Sequence, residues 1–242
     1  MQNKRIGIFQ DVHANLPAFK KALEVFDQQG CERLYHVGDL IGIGPYPKEV
    51  LELAISTQNL TLIMGNHDYW FAFGIPDPRP SYMSMEELEH QQWVHSQIGN
   101  AYRGLVQKWR FVEELFIDEH HKISFAHYGY DADKNWFKSF VKEPNQDKMD
   151  VLFQEFDSKM IFYGHNHHPS DITGKARYVN LGSAGCHHKP EVRLGILETG
   201  FNLLDLKKLS VPYNDNGLME AFEIKKVPAR AFITKTFITR DK

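Results

Sequence analysis

The chain has 242 residues, 42% hydrophobic, 13% aromatic and 24% charged, with a formal net charge of −3. That composition is ordinary for a globular protein long enough to bury a large core, and it excludes disordered, collagenous and coiled-coil classes. The near-neutral balance argues against a nucleic-acid binder held by a broad basic face, and one count is out of proportion: thirteen histidines.

Short apolar runs, each succeeded by a polar loop, occupy the first two thirds. Arg5–Gln10 reads as a strand, and Pro17–Gln29, with Phe19, Ala22, Leu23 and Phe26 at helical spacing, reads as a helix ended by Gly30. Leu34–Val37 is the next strand, succeeded by a Gly- and Pro-rich loop and a helix over Lys48–Ser56. Leu60–Met64, Ile123–Ala126 and Met160–Tyr163 complete five strand candidates. The segment Ser84–Trp109 reads as helix, interrupted near Gly99 and Gly104 and opened by a Ser84/Glu87 capping box. Beyond it, Ala176–Asn180, Arg193–Glu198 and Leu203–Val211 read as an antiparallel meander, and Asp215–Phe237 as two helices broken at Pro228, with Phe232–Thr239 also readable as a strand. Alternating strands and helices imply an α/β fold with a partly parallel sheet. No linker or repeat divides the chain, so residues 1–242 are expected to form a single domain, with a core of about 1–170 and C-terminal strands and helices over about 171–242. No segment has the roughly 18–20 uninterrupted apolar residues of a membrane span, and no export signal precedes the first strand. Two cysteines, Cys31 and Cys186, make no disulfide framework. A cytoplasmic protein with no membrane and no stable nucleic-acid partner is expected.

The residues just past the end of each of the five strands carry the chemistry. Asp11-Val-His13 comes after the first, Gly38-Asp39 after the second, Gly65-Asn66-His67-Asp68 after the third, His127 after the fourth and Gly164-His165-Asn-His167 after the fifth. The carboxyl edge of an open α/β sheet is where ligands bind. Asp11 and His13 stand two apart, so both leave the same face if the strand continues past Gln10; His165 and His167 share that spacing. Imidazoles, carboxylates and one amide, with no cysteine among them, suit manganese, iron, zinc or a similar ion over a thiolate site or a calcium cage. The set is too large for one four-ligand site and fits two sharing a bridge.

This succession of five blocks, in order over residues 11–167, resembles the calcineurin-like metallophosphoesterase superfamily. The stretches GDLIGIGPYPKEVLEL, VNLGSAG and VPYND are similar to its small bacterial and archaeal phosphodiesterase branch. The resemblance implies a four-layer sandwich of two packed mixed β-sheets flanked by helices, and a centre of two divalent ions, manganese first, with iron, zinc or nickel as alternatives. It implies that Asp11, His13, Asp39 and His167 hold the first ion, and that Asp39, as bridge, Asn66, His127 and His165 hold the second. His67 is then the catalytic histidine that protonates the leaving oxygen, with Asp68 orienting His67 or its loop.

The implied reaction is hydrolysis of a nucleotide-like or other small phosphodiester by a metal-bridging hydroxide. Two divalent ions and two aspartates leave a net charge of about +2, which a hydroxide and a diester monoanion neutralise and a monoester dianion overshoots. Protein phosphatases of the superfamily carry arginines in or after the Gly-Asp and Gly-Asn blocks, where this chain has Leu40 and Asp68. A phosphomonoesterase is therefore the second reading, and a non-catalytic scaffold, which should have lost His67, the third. Tyr128, His187, His188 and Arg193 are candidate substrate contacts. Related sequences carry Asn-Pro-Gly-Ser and then Gln-Pro-Arg where this one has Asn180-Leu-Gly-Ser183 and then Cys186-His187-His188-Lys189. Cys186 reads as a plain buried thiol. Asn15 reads as a helix cap, His36 as a packed, satisfied core histidine, and His90, His95, His120 and His121 as solvated helix or turn residues. The Tyr69–Phe73 run reads as a helix packed on the sheet, with base stacking as the alternative.

Overall fold

A computed structural model describes residues 4–118, 121–200 and 203–238. In chain order the elements are β1 (Lys4–Phe9), α1 (Leu16–Gln28), β2 (Arg33–His36), α2 (Pro47–Ser56), β3 (Leu60–Leu62), α3 (Asn66–Phe73), α4 (Met85–Ile98), α5 (Arg103–Val106), β4 (Val112–Phe116) and β5 (Lys122–Ala126). A small hairpin comes next, β6 (Tyr130–Asp131) with β7 (Trp136–Phe137), then α6 (Gln146–Leu152), β8 (Met160–Phe162), β9 (Ser170–Thr173), β10 (Arg177–Asn180), β11 (Glu191–Gly200), β12 (Leu203–Pro212), α7 (Leu218–Ile224) and α8 (Arg230–Ile233), which runs into a π turn over Thr234–Ile238.

Two five-stranded mixed sheets result. The first has the order β12-β11-β1-β2-β3, parallel through β1, β2 and β3 and antiparallel at β11 and β12. The second has the order β4-β5-β8-β10-β9, parallel through β5, β8 and β10 with antiparallel edges. Period-two alternation explains how they stack. Ile6, Ile8, Tyr35 and Val37 of the first sheet meet Ile123, Phe125, Met160, Phe162 and Val179 of the second in one buried layer. The opposite face of the first sheet, with Phe9 and Leu34, is covered by α1 and α2 through Phe19, Ala22, Phe26, Val50 and Leu51. Ile161 and Tyr178, on the opposite face of the second, pack under Met149 and Leu152 of α6.

Local signals set most element ends. The Asn15 side chain accepts from Ala18 N (3.2 Å) as the cap of α1. Ser84 Oγ accepts from Glu87 N (3.0 Å) to open α4, which ends at Gly99 with φ 74°. Past that glycine only a 3₁₀ turn and the four residues of α5 are helical, and Gly104 lies inside α5, so it interrupts nothing. The expected meander is also corrected. β10 pairs with β8 and β9 in the second sheet, and only β11 and β12 form a hairpin, laid against β1 in the first. Residues 230–238 are helical, which excludes the strand alternative over its described part. Among the described residues no helix is long and apolar enough to cross a membrane.

Phe125 has 0% exposure and stacks on Tyr35 of the facing sheet (ring centroids 4.0 Å apart, planes 5° apart). Phe125→Ala should therefore destabilise the fold by about 3–5 kcal/mol, read as a lower urea midpoint at unchanged slope. A loss below about 1 kcal/mol would mean that the layer between the sheets repacks freely.

Candidate metal centre

β1 stops at Phe9, so the pairing of Asp11 with His13 is not made by strand alternation. Left-handed turns make it: φ is 53° at Asp11, 47° at His13, 56° at Asp39, 69° at His165 and 58° at His167. A side-chain-bearing residue there costs about 1–3 kcal/mol, so something must hold it. The hydrogen bonds Asp11 N to Gly38 O and His13 N to Asp39 O, both 3.0 Å, lock the first loop against the second. Glycines matter by proximity as much as by conformation. Gly38 does adopt φ 82°, but Gly65 and Gly164 have no such angle; a Cβ at Gly65 would overlap Asp39, and one at Gly164 would stand 2.8 Å from Asp11 Oδ2.

These turns gather all seven candidate ligands. His13 Nε2 and His167 Nε2 face each other at 2.8 Å, and each lies 3.9 Å from Asp11 Oδ1. His127 Nε2 lies 3.2 Å from Asp39 Oδ2 and 3.2 Å from Asn66 Oδ1, which is also 2.9 Å from His165 Nδ1. Asp39 Oδ2 is 3.7 Å from His13 Nε2 as well, so one carboxylate stands between two groups of donors. Possible ligand atoms converge within 4.8 Å of one another in three sets: His13, Asp39 and His67; Asp39, His127 and His165; and His13, His167 and Cys186. The last set brings a thiol, absent from the expected donors, close to two of them.

The electrostatics are those of a place short of positive charge. Burial pushes the Asp11 carboxyl up to about 8. Burial likewise pushes His165 down to about 3 and His167 to about 4, leaving both imidazoles neutral with lone pairs to give. Burial alone would lower His127, yet the Asp39 and Asp11 carboxylates and its bond to Val37 O outweigh it and hold the group at about 9. At Asp39 burial is outweighed in turn by His127 and His67, which keep the carboxyl well below its ordinary range.

Of the two roles expected for Asp68, His67 or its loop, the contacts match the loop. Asp68 does not bond the His67 ring; its buried carboxylate accepts from the backbone N–H groups of Asp39 (2.8 Å), Leu40 (3.1 Å), Ile41 (3.2 Å) and Gly65 (3.0 Å). It is a positioning residue for the loop. The partner of His67 is Gln91 on α4, with Nε2 2.8 Å from His67 Nδ1, and nothing in the sequence singled that residue out. Tyr128 is fully buried, its hydroxyl accepting from Val141 N (2.7 Å) and its ring 4.8 Å from that of His165, so it backs a candidate ligand and does not line the cavity. His187, His188 and Arg193 do line it, with His67, His168, Thr236 and Phe237, around about 460 Å³. The Arg193 guanidinium contacts His187 Nε2.

Several histidines away from the ligands differ from expectation. His36 is packed, against Phe9, but neither ring nitrogen has a partner, and burial lowers it to about 3. His90 is buried, with Nδ1 3.3 Å from Pro228 O, and His95 sits edge-on to Phe71; only His121, paired with Asp118, is a turn residue as read, while His120 lies outside the described residues. The aromatic run forms α3, with Trp70 and Phe71 buried.

The sequence profile of the calcineurin-like phosphoesterase superfamily domain matches residues 5–200. The chain belongs to that superfamily. An uncharacterized protein of Methanocaldococcus jannaschii is 26% identical over 182 residues, 70% of this chain and 65% of the relative, so the match spans about two thirds of that protein's length. A hypothetical protein of Pyrococcus horikoshii OT3 has a similar structure, with TM-score 0.79 and 17% identity over 98% of this chain and 99% of that one. A metallophosphoesterase of Sphaerobacter thermophilus aligns with TM-score 0.69 and 19% identity over 96% and 98%. Both share the calcineurin-like fold of two mixed sheets flanked by helices.

Members of this superfamily depend on metal, and the residues of this calcineurin-like chain fit a cation. Asp11 Oδ2 is fully buried with no hydrogen-bond partner, a cost that a divalent ion removes. Stability should then depend on pH in a way that metal abolishes. Without metal, Asp11 and His127 hold protons up to about 8 and about 9, against ordinary values of 3.8 and 6.5. The folded state then binds more protons than the unfolded chain between about pH 7.5 and 8.5, and stability is lost as pH rises through that window. Asp68, raised by burial to about 7, adds the same sign. The buried histidines held neutral (His13, His36, His90, His165 and His167) act in the opposite sense, but their ordinary value of 6.5 lies below this window. The melting temperature of chelator-treated protein should fall from about pH 7.5 to 8.5, and a divalent cation should cancel the fall; a metal-free midpoint that holds or rises there counts against this electrostatic account.

Proposed function

We propose that the chain is a metal-dependent phosphoesterase with two adjacent divalent ions, acting on a small phosphodiester of nucleotide-like type. The observation that carries this reading is Asp39: its Oδ2 lies 3.7 Å from His13 Nε2 and 3.2 Å from His127 Nε2, the position a bridging carboxylate needs. Asp11, His13 and His167 then serve one ion, and Asn66, His127 and His165 the other. The imidazole, carboxylate and amide donors suit manganese, iron, zinc or nickel. Divalent ions there supply Lewis acidity toward phosphoryl oxygens and lower the pKa of water.

The chain's own residues do the rest. His127 Nδ1 donates to Val37 O (3.0 Å), which fixes the tautomer that leaves Nε2 its lone pair. His67 N donates to Asp39 Oδ1 (2.9 Å), fixing the first turn of α3 to the carboxylate. Gln91 occupies His67 Nδ1 and leaves Nε2 to the cavity, where it can give a proton to the departing oxygen. His188 and Arg193 also line the cavity and can hold the remainder of the substrate. Arg193 also favours a second reading, a phosphomonoesterase, because a guanidinium in the cavity wall can hold the extra charge of a dianion.

With manganese supplied, bis-p-nitrophenyl phosphate should be cleaved faster than p-nitrophenyl phosphate; the reverse order selects the monoester reading. His67→Ala should lower kcat by roughly 10²–10⁴-fold on a diester with an alkyl leaving group, with little change in KM. The loss should shrink for p-nitrophenolate, which departs unprotonated. Gln91→Leu should give a smaller loss with the same leaving-group dependence, since it acts through His67. Equal losses on both leaving groups would remove His67 as proton donor.

A further inference from the structure

Among the described residues, Cys186 is the one member of the three converging donor sets to which the resemblance gives no role. Its side chain is buried, at 6% exposure, and lines the cavity beside His167. Sγ lies within 4.8 Å of a ring nitrogen of His13 and of one of His167. One ion with bonds of about 2.3 Å to sulfur and about 2.0–2.1 Å to nitrogen needs donors no more than about 4.4 Å apart.

The backbone that carries the thiol is built into the same centre. Ser183 Oγ donates to Asp11 O (2.6 Å) and accepts from Cys186 N (2.7 Å), and Ser183 N donates to His167 O (3.1 Å). Gly185 N donates to Asp11 O (3.1 Å), and the residue sits so close to Val12 O that no Cβ fits there. The turn leading into Cys186 is therefore tied to the two loops that present Asp11, His13 and His167. The side chain also packs against the buried apolar cluster of Ile43, Leu218 and Phe222, which holds the thiol at the edge of the cavity.

We propose that Cys186 is a thiolate ligand of the ion held by His13 and His167, and that it biases this position toward zinc, cobalt or ferrous iron over manganese. The proposal rests on the metal-centre reading above. Binding replaces the S–H bond with an S–metal bond and releases the proton to solvent. A soft donor on one ion and none on the other makes the two positions chemically unlike, because thiolate discriminates among these metals where carboxylate and imidazole barely do.

The test is cobalt(II) reconstitution of the metal-free full chain, read by absorption. Wild type and Cys31→Ser should show a near-ultraviolet thiolate-to-cobalt charge-transfer band, and Cys186→Ser should lose that band while keeping the visible d–d bands. Zinc-loaded wild type, which needs no variant to fold, should show a sulfur neighbour at about 2.3 Å by X-ray absorption. In competition, Cys186→Ser should lose zinc-over-manganese preference by at least the roughly 10–100-fold that losing a supporting group costs a metal site. Bound cobalt without the charge-transfer band in wild type, or a zinc shell of nitrogen and oxygen alone, overturns this proposal and leaves the metal centre standing. Absence of any bound cobalt overturns the metal centre and this proposal together.

Discussion

A carboxylate with 0% exposure and no cationic partner is among the costliest groups a fold can carry, and Asp68 is tolerated because four backbone N–H groups point at it. Those amides come from two different loops, one after β2 and one after β3. Asp68 thereby forces the chain around Asp39 into a tight, left-handed course and starts α3 at the same point. Asp39 then meets His67 N, and His13 N meets Asp39 O, so each candidate ligand loop is referenced to the previous one. Without that anion the loop amides would have no partner and the loops no common origin.

The two sheets contribute unequally to what is built on top of them. Asp11, His13, Asp39 and Asn66 come after strands of the first sheet, while His127, His165 and His167 come after strands of the second. Every close approach between Asn66 or Asp39 and a histidine of the other sheet therefore crosses the seam between the layers. Phe125, two residues before His127, is stacked on Tyr35 of the facing sheet and, within its own sheet, near-parallel to Phe162 at 5.5 Å. Aromatic packing a few ångströms below the site thus sets the spacing of donors above it, which ties core geometry to metal geometry.

The five polar blocks and the strands before them were legible because each strand is a short apolar run ending in residues with no packing role. What stayed hidden was short or polar. β9 is Ser-Asp-Ile-Thr, an edge strand with two exposed positions, and α6 has only seven residues, so neither makes a periodic signal. The placement of β10 beside β8 depends on a crossover that no local pattern encodes. The same limit applies to the site. The blocks collect in the sequence's own order, but the partner of His67 comes from the polar Gln91-Gln92 pair on α4, and Cys186 from a turn whose direction is set by Asp11 and Val12 backbone atoms. Tertiary hydrogen bonds place both, and no local pattern marks either.

Five candidate ligands adopt a backbone conformation that glycine or asparagine tolerates far better than aspartate or histidine. For such positions the gradient of stability and the gradient of activity run in opposite directions. Exchanging one of them for glycine relaxes the chain while it removes a donor, giving a firmer fold with a poorer site. The five strained turns are therefore the places where this backbone gives up conformational ease to aim a donor side chain, so the cost of the site is carried by the main chain as well as by the buried charges.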